Sequence, residues 1–98
     1  MNALKTAALE LGPEGILVNA VAPGHILTER IAEWNRAYAE REGVTPEEIA
    51  RRTVEGIPLK RYGKPEEVAE VIAFLLSSAN GYITGQQLLV DGGLVVAG

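Results

Sequence analysis

Cysteine is absent from this 98-residue chain, and histidine occurs once, at His25. Without cysteine there is no disulfide framework and no thiolate to bind zinc. A single histidine cannot build a metal site by itself. We therefore expect no metal site among these residues.

Positive charge is scarce as well. The nine Lys and Arg residues are dispersed and leave a net charge of −4, whereas a nucleic-acid-binding protein usually concentrates them on one face or in one segment. The first eleven residues lack the basic region, apolar run and cleavage site of a secretion signal. With 47% hydrophobic and 22% charged residues, the composition is typical of a soluble globular protein. We expect a cytoplasmic protein without a nucleic-acid or membrane partner.

The chain does contain alternating helix and strand signals. Apolar residues at helical spacing predict a helix over residues 2–11, which Gly12 and Pro13 end. Residues 16–22 are nearly all apolar, which is typical of a parallel strand covered by helices on both faces. The pair Pro23-Gly24 is expected to break this strand.

Two capped helices are predicted next. Thr28 is a suitable N-cap for a helix that runs to about Glu42 and is closed by Gly43. A shorter helix begins after Thr45, whose spacing from Glu48 predicts a capping box. The first helix carries an apolar stripe of Leu27, Ile31, Trp34 and Tyr38.

The last part of the chain predicts a helix and a strand. Pro65 opens the helix, and its apolar stripe consists of Val68, Ile72, Leu75 and Leu76. A short strand is expected from Gln86 to Val90, ended by Asp91-Gly92-Gly93. Helix, buried strand, helices and strand is the order of an α/β fold.

Three segments, in this order, resemble the C-terminal third of the short-chain dehydrogenase/reductase family. They are VNAVAPG at 18–24, IPLKRYGKPEEVA at 57–69, and ITGQ at 83–86 with VDGG at 90–93. The closest likeness is to the 3-oxoacyl-carrier-protein reductase-like branch. The resemblance implies the C-terminal portion of a Rossmann-like doubly wound parallel sheet, and a cofactor that is NAD or NADP.

The resemblance also implies roles for named residues. Pro23, Gly24, Ile26 and Thr28 would bind the cofactor, with Ile26 backbone groups on the nicotinamide carboxamide and the Thr28 hydroxyl on the carboxamide or a phosphate. Thr28 can also be only a helix cap, and the two roles are compatible.

The family's variable substrate lid corresponds to the region after this loop. The lid residues would be His25, Ile31, Trp34 and Tyr38, although a solvated loop histidine and ordinary core aromatics are the simpler interpretations. The family's dimer and tetramer interface corresponds to Val68, Ile72, Leu75 and Leu88, which could equally face the chain's own core.

The catalytic residues of the family have no counterpart here. The family uses a tyrosine with a lysine four residues later, but Tyr38, Tyr62 and Tyr82 are followed at that spacing by Glu42, Glu66 and Gln86. No two of the eleven glycines are spaced i, i+2, so the dinucleotide fingerprint is missing too. We predict no catalytic residue in this chain. The adjacent glutamates at 47–48 and 66–67 are interpreted as compensation of helix dipoles.

We therefore expect one partial domain with four parts: the end of the catalytic helix (1–12), the strand and Pro-Gly loop (13–25), the lid (26–57), and the helix, last strand and oligomer interface (58–98). Two functions remain open. In the first, the chain is part of an NAD(P)-dependent oxidoreductase that acts on a small carbonyl or alcohol substrate, and the chain alone is inactive and binds the cofactor poorly. Alternatively, it is a short non-catalytic relative that acts as an oligomeric or interaction module, because an unpaired apolar strand edge recruits another chain.

Overall fold

The computed structural model describes residues 2–94. Within them lie four α-helices and two strands, in an order that confirms the α/β class. They are α1 Ala3–Leu11, β1 Ala20–Pro23, α2 Glu29–Glu42, α3 Pro46–Glu55, α4 Pro65–Leu76 and β2 Gln87–Val90. A short 3-10 helix, Gly12–Glu14, follows α1, and Gly15 after it adopts a left-handed backbone with φ of 77°.

The two strands form a parallel pair, with Ala20 opposite Gln87 and Pro23 opposite Val90. Parallel neighbours need a crossover connection. Here α4 completes that connection and packs against β1. The carboxyl ends of both strands therefore lie side by side, at Pro23 and Val90.

The first strand is shorter than predicted and shifted along the chain. It begins at Ala20 rather than at residue 16, and it includes Pro23, which we expected to end it. Proline fits there because its nitrogen has no hydrogen to donate, and an edge that pairs with no further strand needs no donor at that position. The second strand starts one residue late, at Gln87.

Side chains explain the late start of β1. The Val18 N–H donates to Thr84 Oγ1 at 2.9 Å, and Asn19 both donates to the Ile83 carbonyl and accepts from the Gln86 N–H. These bonds hold the two segments of the chain together before the backbone ladder begins at Ala20. A hydrophobicity pattern carries no information about them.

Helices α2 and α3 pack together as a hairpin, with the caps that the sequence predicted. Thr28 Oγ1 accepts from the Ile31 N–H at 3.2 Å, and Gly43 ends α2 in a left-handed conformation. Thr45 Oγ1 accepts from the Glu48 N–H at 3.1 Å. These local signals confirm both helix starts.

The Glu48 side chain takes a different partner from the one that a capping box requires. Its carboxylate binds the Arg51 guanidinium at 2.6 and 2.9 Å. Hydrogen bonds from Arg51 lower the pKa of Glu48 to about 2. The box is thus half formed, with the threonine bond present and the glutamate engaged one turn further along α3.

The apolar stripe of α2 is not the buried face of this hairpin. The buried residues there are Asn35, Ala39 and Ile49, whereas Trp34 is 55% exposed and Leu27 is 48% exposed. The interpretation of Trp34 as a core residue is therefore wrong for the part of the chain that the structure describes.

The described part of the chain is elongated, with dimensions of 57 × 27 × 21 Å and a radius of gyration of 17.3 Å. A compact domain of this length would have a radius of gyration of about 13 Å. Large apolar side chains consequently remain in solvent, for example Leu76 at 83% and Phe74 at 45% exposure.

In residues 2–94, the helices are too short or too polar to cross a bilayer.

Candidate functional site

The segment that we call the connecting loop, residues 23–28, runs from the last residue of β1 to the residue before α2. It contains all four residues predicted to bind a cofactor: Pro23, Gly24, Ile26 and Thr28. In open α/β sheets, ligands bind beyond the carboxyl ends of the strands. The structure therefore brings these four residues to the edge of the sheet where a ligand site is expected.

Gly24 fixes how closely the two strand ends approach. Its N–H donates to the Val90 carbonyl at 2.9 Å. A methyl group on Gly24 would lie 2.6 Å from Asp91 Cβ and 2.9 Å from Asp91 Cα. Only glycine allows this contact without a backbone shift.

The middle of the connecting loop is held by Gly63 on one side only. The Leu27 N–H donates to the Gly63 carbonyl, and the Gly63 N–H donates to the His25 carbonyl, each at 2.9 Å. Together they make an isolated parallel bridge between Ile26 and Gly63.

This bridge leaves the N–H and carbonyl of Ile26 itself on the side of the loop that faces away from Gly63. Neither its N–H nor its carbonyl forms a hydrogen bond within residues 2–94. One donor and one acceptor on the same residue match a primary amide, which offers an acceptor oxygen and a donor nitrogen. The arrangement is suited to bind a carboxamide in a fixed orientation.

Thr28 ends the loop and caps α2. Its oxygen accepts from the Ile31 N–H, so the hydroxyl proton is still available for donation. The positive end of the α2 dipole lies at the same point and favours a negatively charged group. Capping and ligand binding by Thr28 are therefore compatible.

Tyr62, which sequence reasoning did not select, connects the loop to the α2–α3 hairpin. Its ring meets the His25 ring edge-on, with the centroids 6.5 Å apart. The Tyr62 hydroxyl accepts a hydrogen bond of 3.3 Å from the Asn35 side-chain nitrogen, and Asn35 is buried. Because these contacts join residues far apart in the chain, no local pattern indicates them.

An ion pair anchors the segment around Gly63 to the start of α4. Arg61 binds the Glu67 carboxylate through both of its terminal nitrogens at 2.8 Å, and Glu67 also accepts from the Lys64 N–H at 2.9 Å. The hydrogen bonds from Arg61 and the Lys64 backbone lower the pKa of Glu67 to about 2. Gly63 lies between these anchor points and is thereby fixed against the loop.

A cavity of about 420 Å³ opens beyond the two strand ends. His25 lines it together with Pro58, Leu59 and the Asp91–Gly93 turn. Cavities of about 300–1,000 Å³ are the usual size for small ligands. The single histidine of the chain is exposed, and it lines this cavity as well as contacting Tyr62.

The other predicted lid residues follow on α2. Ile31 and Tyr38 are half-buried. The Trp34 and Tyr38 rings stack with their centroids 4.9 Å apart and an angle of 15° between the planes. The structure therefore groups Trp34 with Tyr38, one turn apart on α2, whereas the His25 ring meets that of Tyr62.

The predicted interface residues lie partly against the chain's own sheet. Ile72 and Leu75 line a cleft of about 390 Å³ together with Val21 of β1. Val68 and Leu88 are half-buried, and Ile72 is 42% exposed. The stripe is thus only partly covered within the described residues.

Residues 2–94 contain no cluster of three or more His, Asp or Glu side chains that could hold a metal ion.

Comparisons with known proteins agree on one family. The sequence profile described as Enoyl-(Acyl carrier protein) reductase matches residues 1–95. The 3-oxoacyl-[acyl-carrier-protein] reductase of Aquifex aeolicus is 47% identical over 90 residues, which cover 92% of this chain and 32% of that protein. The corresponding reductase of Thermotoga maritima is 45% identical over 95 residues, which cover 94% of this chain and 33% of that protein. The NADPH-dependent reductase BacG of Bacillus subtilis is 38% identical over 93 residues, covering 95% and 36%.

Solved structures give the same result. The L-sorbose reductase of Gluconobacter frateurii, solved with NADPH and L-sorbose, superimposes with a TM-score of 0.87 at 32% identity, over 96% of this chain and 36% of that one. A short chain dehydrogenase family protein of Francisella tularensis superimposes with a TM-score of 0.87 at 34% identity, over 93% of this chain and 38% of that one. This chain spans about a third of the length of the curated relatives that it matches.

Proposed function

This chain belongs to the short-chain dehydrogenase/reductase family, in its 3-oxoacyl-[acyl-carrier-protein] reductase-like branch, and we propose that it supplies the cofactor-end loop and substrate lid of such an enzyme. The enzyme would transfer hydride between NAD or NADP and a carbonyl or alcohol group. In the reducing direction, a bound reduced nicotinamide would supply the hydride to the carbonyl carbon, and the carbonyl oxygen would take up a proton.

One observation carries the proposal: the unbonded N–H and carbonyl of Ile26. The residues on both sides of Ile26 are engaged by Gly63, so the loop cannot turn these two groups elsewhere without losing two hydrogen bonds. They would bind the nicotinamide carboxamide and so set which face of the ring meets the substrate. A binding group held in place before the ligand arrives lowers the ordering cost of binding.

Thr28 would assist with its free hydroxyl proton, directed to the carboxamide oxygen or to a phosphate of the cofactor. The helix N-terminus that Thr28 caps adds a favourable field for phosphate. Pro23 and Gly24 would contribute by shape. They let the chain leave the sheet close to the end of β2 and bring Ile26 to the strand ends.

The α2–α3 hairpin would act as the lid over the substrate. Its charged faces suit solvent, and Trp34 and Tyr38 offer an apolar surface, so closure would exclude water from the reacting carbon. The exposed parts of the α4 stripe and Leu88 would then contact either the rest of the enzyme or a second copy.

The chain alone is expected to be inactive. By the family resemblance, proton transfer depends on a tyrosine and lysine spaced i, i+4, and the 98 residues contain no such pair. The phosphate-binding glycine turn is also missing from them. We therefore expect the isolated chain to bind NAD or NADP weakly.

A hybrid enzyme tests the proposal. Residues 1–94 would replace the corresponding third of the Thermotoga maritima reductase, which is 45% identical over the matched region, to give what we call the hybrid reductase. It should oxidise NADH or NADPH in the presence of a carbonyl substrate, and the isolated chain should not. A hybrid that folds by circular dichroism but shows no turnover would contradict the proposal, as would turnover by the isolated chain.

The interaction-module alternative makes a different prediction. The edge of β1 that faces away from β2 has no strand partner within residues 2–94, and such an edge recruits another chain. A module of this kind would be an oligomer by size exclusion with light scattering and would give an inactive hybrid. A well-folded monomer would count against it.

A further inference from the structure

The Tyr62 side chain contacts the connecting loop with its ring and the α2–α3 hairpin with its hydroxyl. The ring meets the His25 ring edge-on, with an angle of 81° between the planes. The hydroxyl accepts the hydrogen bond from the amide of Asn35, which is buried on α2. Within the described residues the hairpin packs mainly helix against helix. Tyr62 is therefore one of the contacts that fix the hairpin relative to the loop.

The backbone on both sides of Tyr62 is held in place. Before it, the Leu59 N–H donates to the carbonyl of Gly92 at 3.1 Å, in the turn after β2, and Arg61 is paired with the first turn of α4. After it, Gly63 is bonded to the connecting loop. Tyr62 thus projects from a segment anchored to the end of the sheet and to α4, and its ring can support the loop against the hairpin.

The same segment orients the two unbonded groups of Ile26. A peptide unit is planar and trans, so its carbonyl and its N–H point in opposite directions. The carbonyl of the His25–Ile26 unit accepts from the Gly63 N–H, which directs the Ile26 N–H away from Gly63. The N–H of the Ile26–Leu27 unit donates to the Gly63 carbonyl, which directs the Ile26 carbonyl the same way. The direction of both groups therefore depends on the position of Gly63, the residue that follows Tyr62.

We propose that Tyr62 is a positioning residue for the hydride transfer. It keeps Gly63 and His25 in the arrangement in which the N–H and carbonyl of Ile26 meet the nicotinamide carboxamide, and Asn35 holds the Tyr62 hydroxyl from the side of the hairpin. The inference rests on the proposed function, because it requires a nicotinamide at Ile26. A residue with this role should act on the nicotinamide half of the cofactor and not on the other half.

Binding measurements on the hybrid reductase separate the two halves. One probe is NADH or NADPH, whichever the hybrid oxidises, and the other is the ADP-ribose part of the same cofactor, which lacks the nicotinamide and keeps the phosphates. Tyr62→Phe should raise the Kd of the complete cofactor by about 2- to 10-fold, the value of one hydrogen bond. Tyr62→Leu also removes the ring from His25 and should raise this Kd further. Neither variant should change the Kd of the ADP-ribose part.

Matched controls use the other residues of the chain. Tyr82→Phe and Tyr82→Leu make the same changes at a tyrosine that is 98% exposed, and they should alter neither Kd. Asn35→Leu removes the other partner of the hydrogen bond. Combined with Tyr62→Phe, it should cause no additional loss of cofactor affinity, because both changes break the same contact.

The outcomes separate the positioning role from the proposed function. Tyr62 variants that bind both probes as the parent does, or that weaken both equally, would overturn the positioning role and leave the proposed function standing. Additive losses for Tyr62→Phe and Asn35→Leu would overturn it as well. A folded hybrid that oxidises neither NADH nor NADPH with a carbonyl substrate would overturn the proposed function and the positioning role with it.

Discussion

Gly24 lies so close to Asp91 that a methyl group on the glycine would come within 2.6 Å of the aspartate Cβ. The contact joins the ends of the two parallel strands and sets the direction in which the connecting loop leaves the sheet. Ile26, two residues later, can then meet Gly63 and keep its own N–H and carbonyl unbonded.

Gly24→Ala should therefore destabilise the protein through this contact. Overpacking against a backbone atom costs about 1–3 kcal/mol, and the neighbour here includes Asp91 Cα at 2.9 Å. Gly12→Ala is the matched control, because Gly12 has a helical backbone and open space where the methyl would go. Urea unfolding of both variants measures the difference, and equal stability would contradict the account of this contact.

Tyr62→Phe removes the hydroxyl that accepts from Asn35 and leaves a buried amide unsatisfied. We expect a loss of about 1–3 kcal/mol in the free energy of unfolding, the usual cost of such a group. Tyr82→Phe makes the same chemical change at a residue that is 98% exposed, and it should have no measurable effect. Thermal unfolding of the two variants provides the comparison, and similar losses would argue against a hydrogen bond at Tyr62.

Acid should weaken the anchor between Arg61 and Glu67. The pKa of Glu67 is lowered from its ordinary value of 4.5 to about 2 in the folded protein, so the unfolded state takes up the proton first as pH falls. The stabilisation is complete above about pH 4.5 and is lost progressively toward pH 2.

Glu67→Gln tests this pH dependence. The melting temperature of the variant should be below that of the parent at pH 7, and the gap should narrow between pH 4.5 and pH 2. Glu66→Gln removes the same charge from the same helical turn and serves as the control. A gap for Glu67→Gln that stays constant with pH would show that its carboxylate is not held ionised by Arg61.

The parts of the structure that sequence reasoning predicted are those encoded by neighbouring residues. The helix beginning after Thr28 and ending at Gly43 was predicted because cap, apolar spacing and glycine stop lie within sixteen residues. The start of β1 was not predicted correctly, because it depends on side-chain hydrogen bonds from Asn19 to residues more than sixty positions away.

In the candidate site, too, the features encoded by neighbouring residues could be predicted and those formed by distant residues could not. The connecting loop could be recognised from the Pro-Gly pair and the family resemblance. Gly63 and Tyr62 could not, since each acts through a contact formed only after folding. The exposure of Trp34 was also beyond prediction, because it depends on Asn35 and Ala39 occupying the buried face of α2.

The central claim, that the connecting loop holds the nicotinamide cofactor, is tested most directly by a pair of threonine variants in the hybrid reductase. Thr28→Ala and Thr45→Ala each remove an N-cap and should lower stability by a similar amount, about 1 kcal/mol. Only Thr28 lies in the connecting loop. We predict that the KM for NAD(P)H rises by about 2- to 10-fold in Thr28→Ala, the value of one hydrogen bond, and stays unchanged in Thr45→Ala. An unchanged KM for the cofactor in Thr28→Ala, or an equal rise in both variants, would contradict the claim.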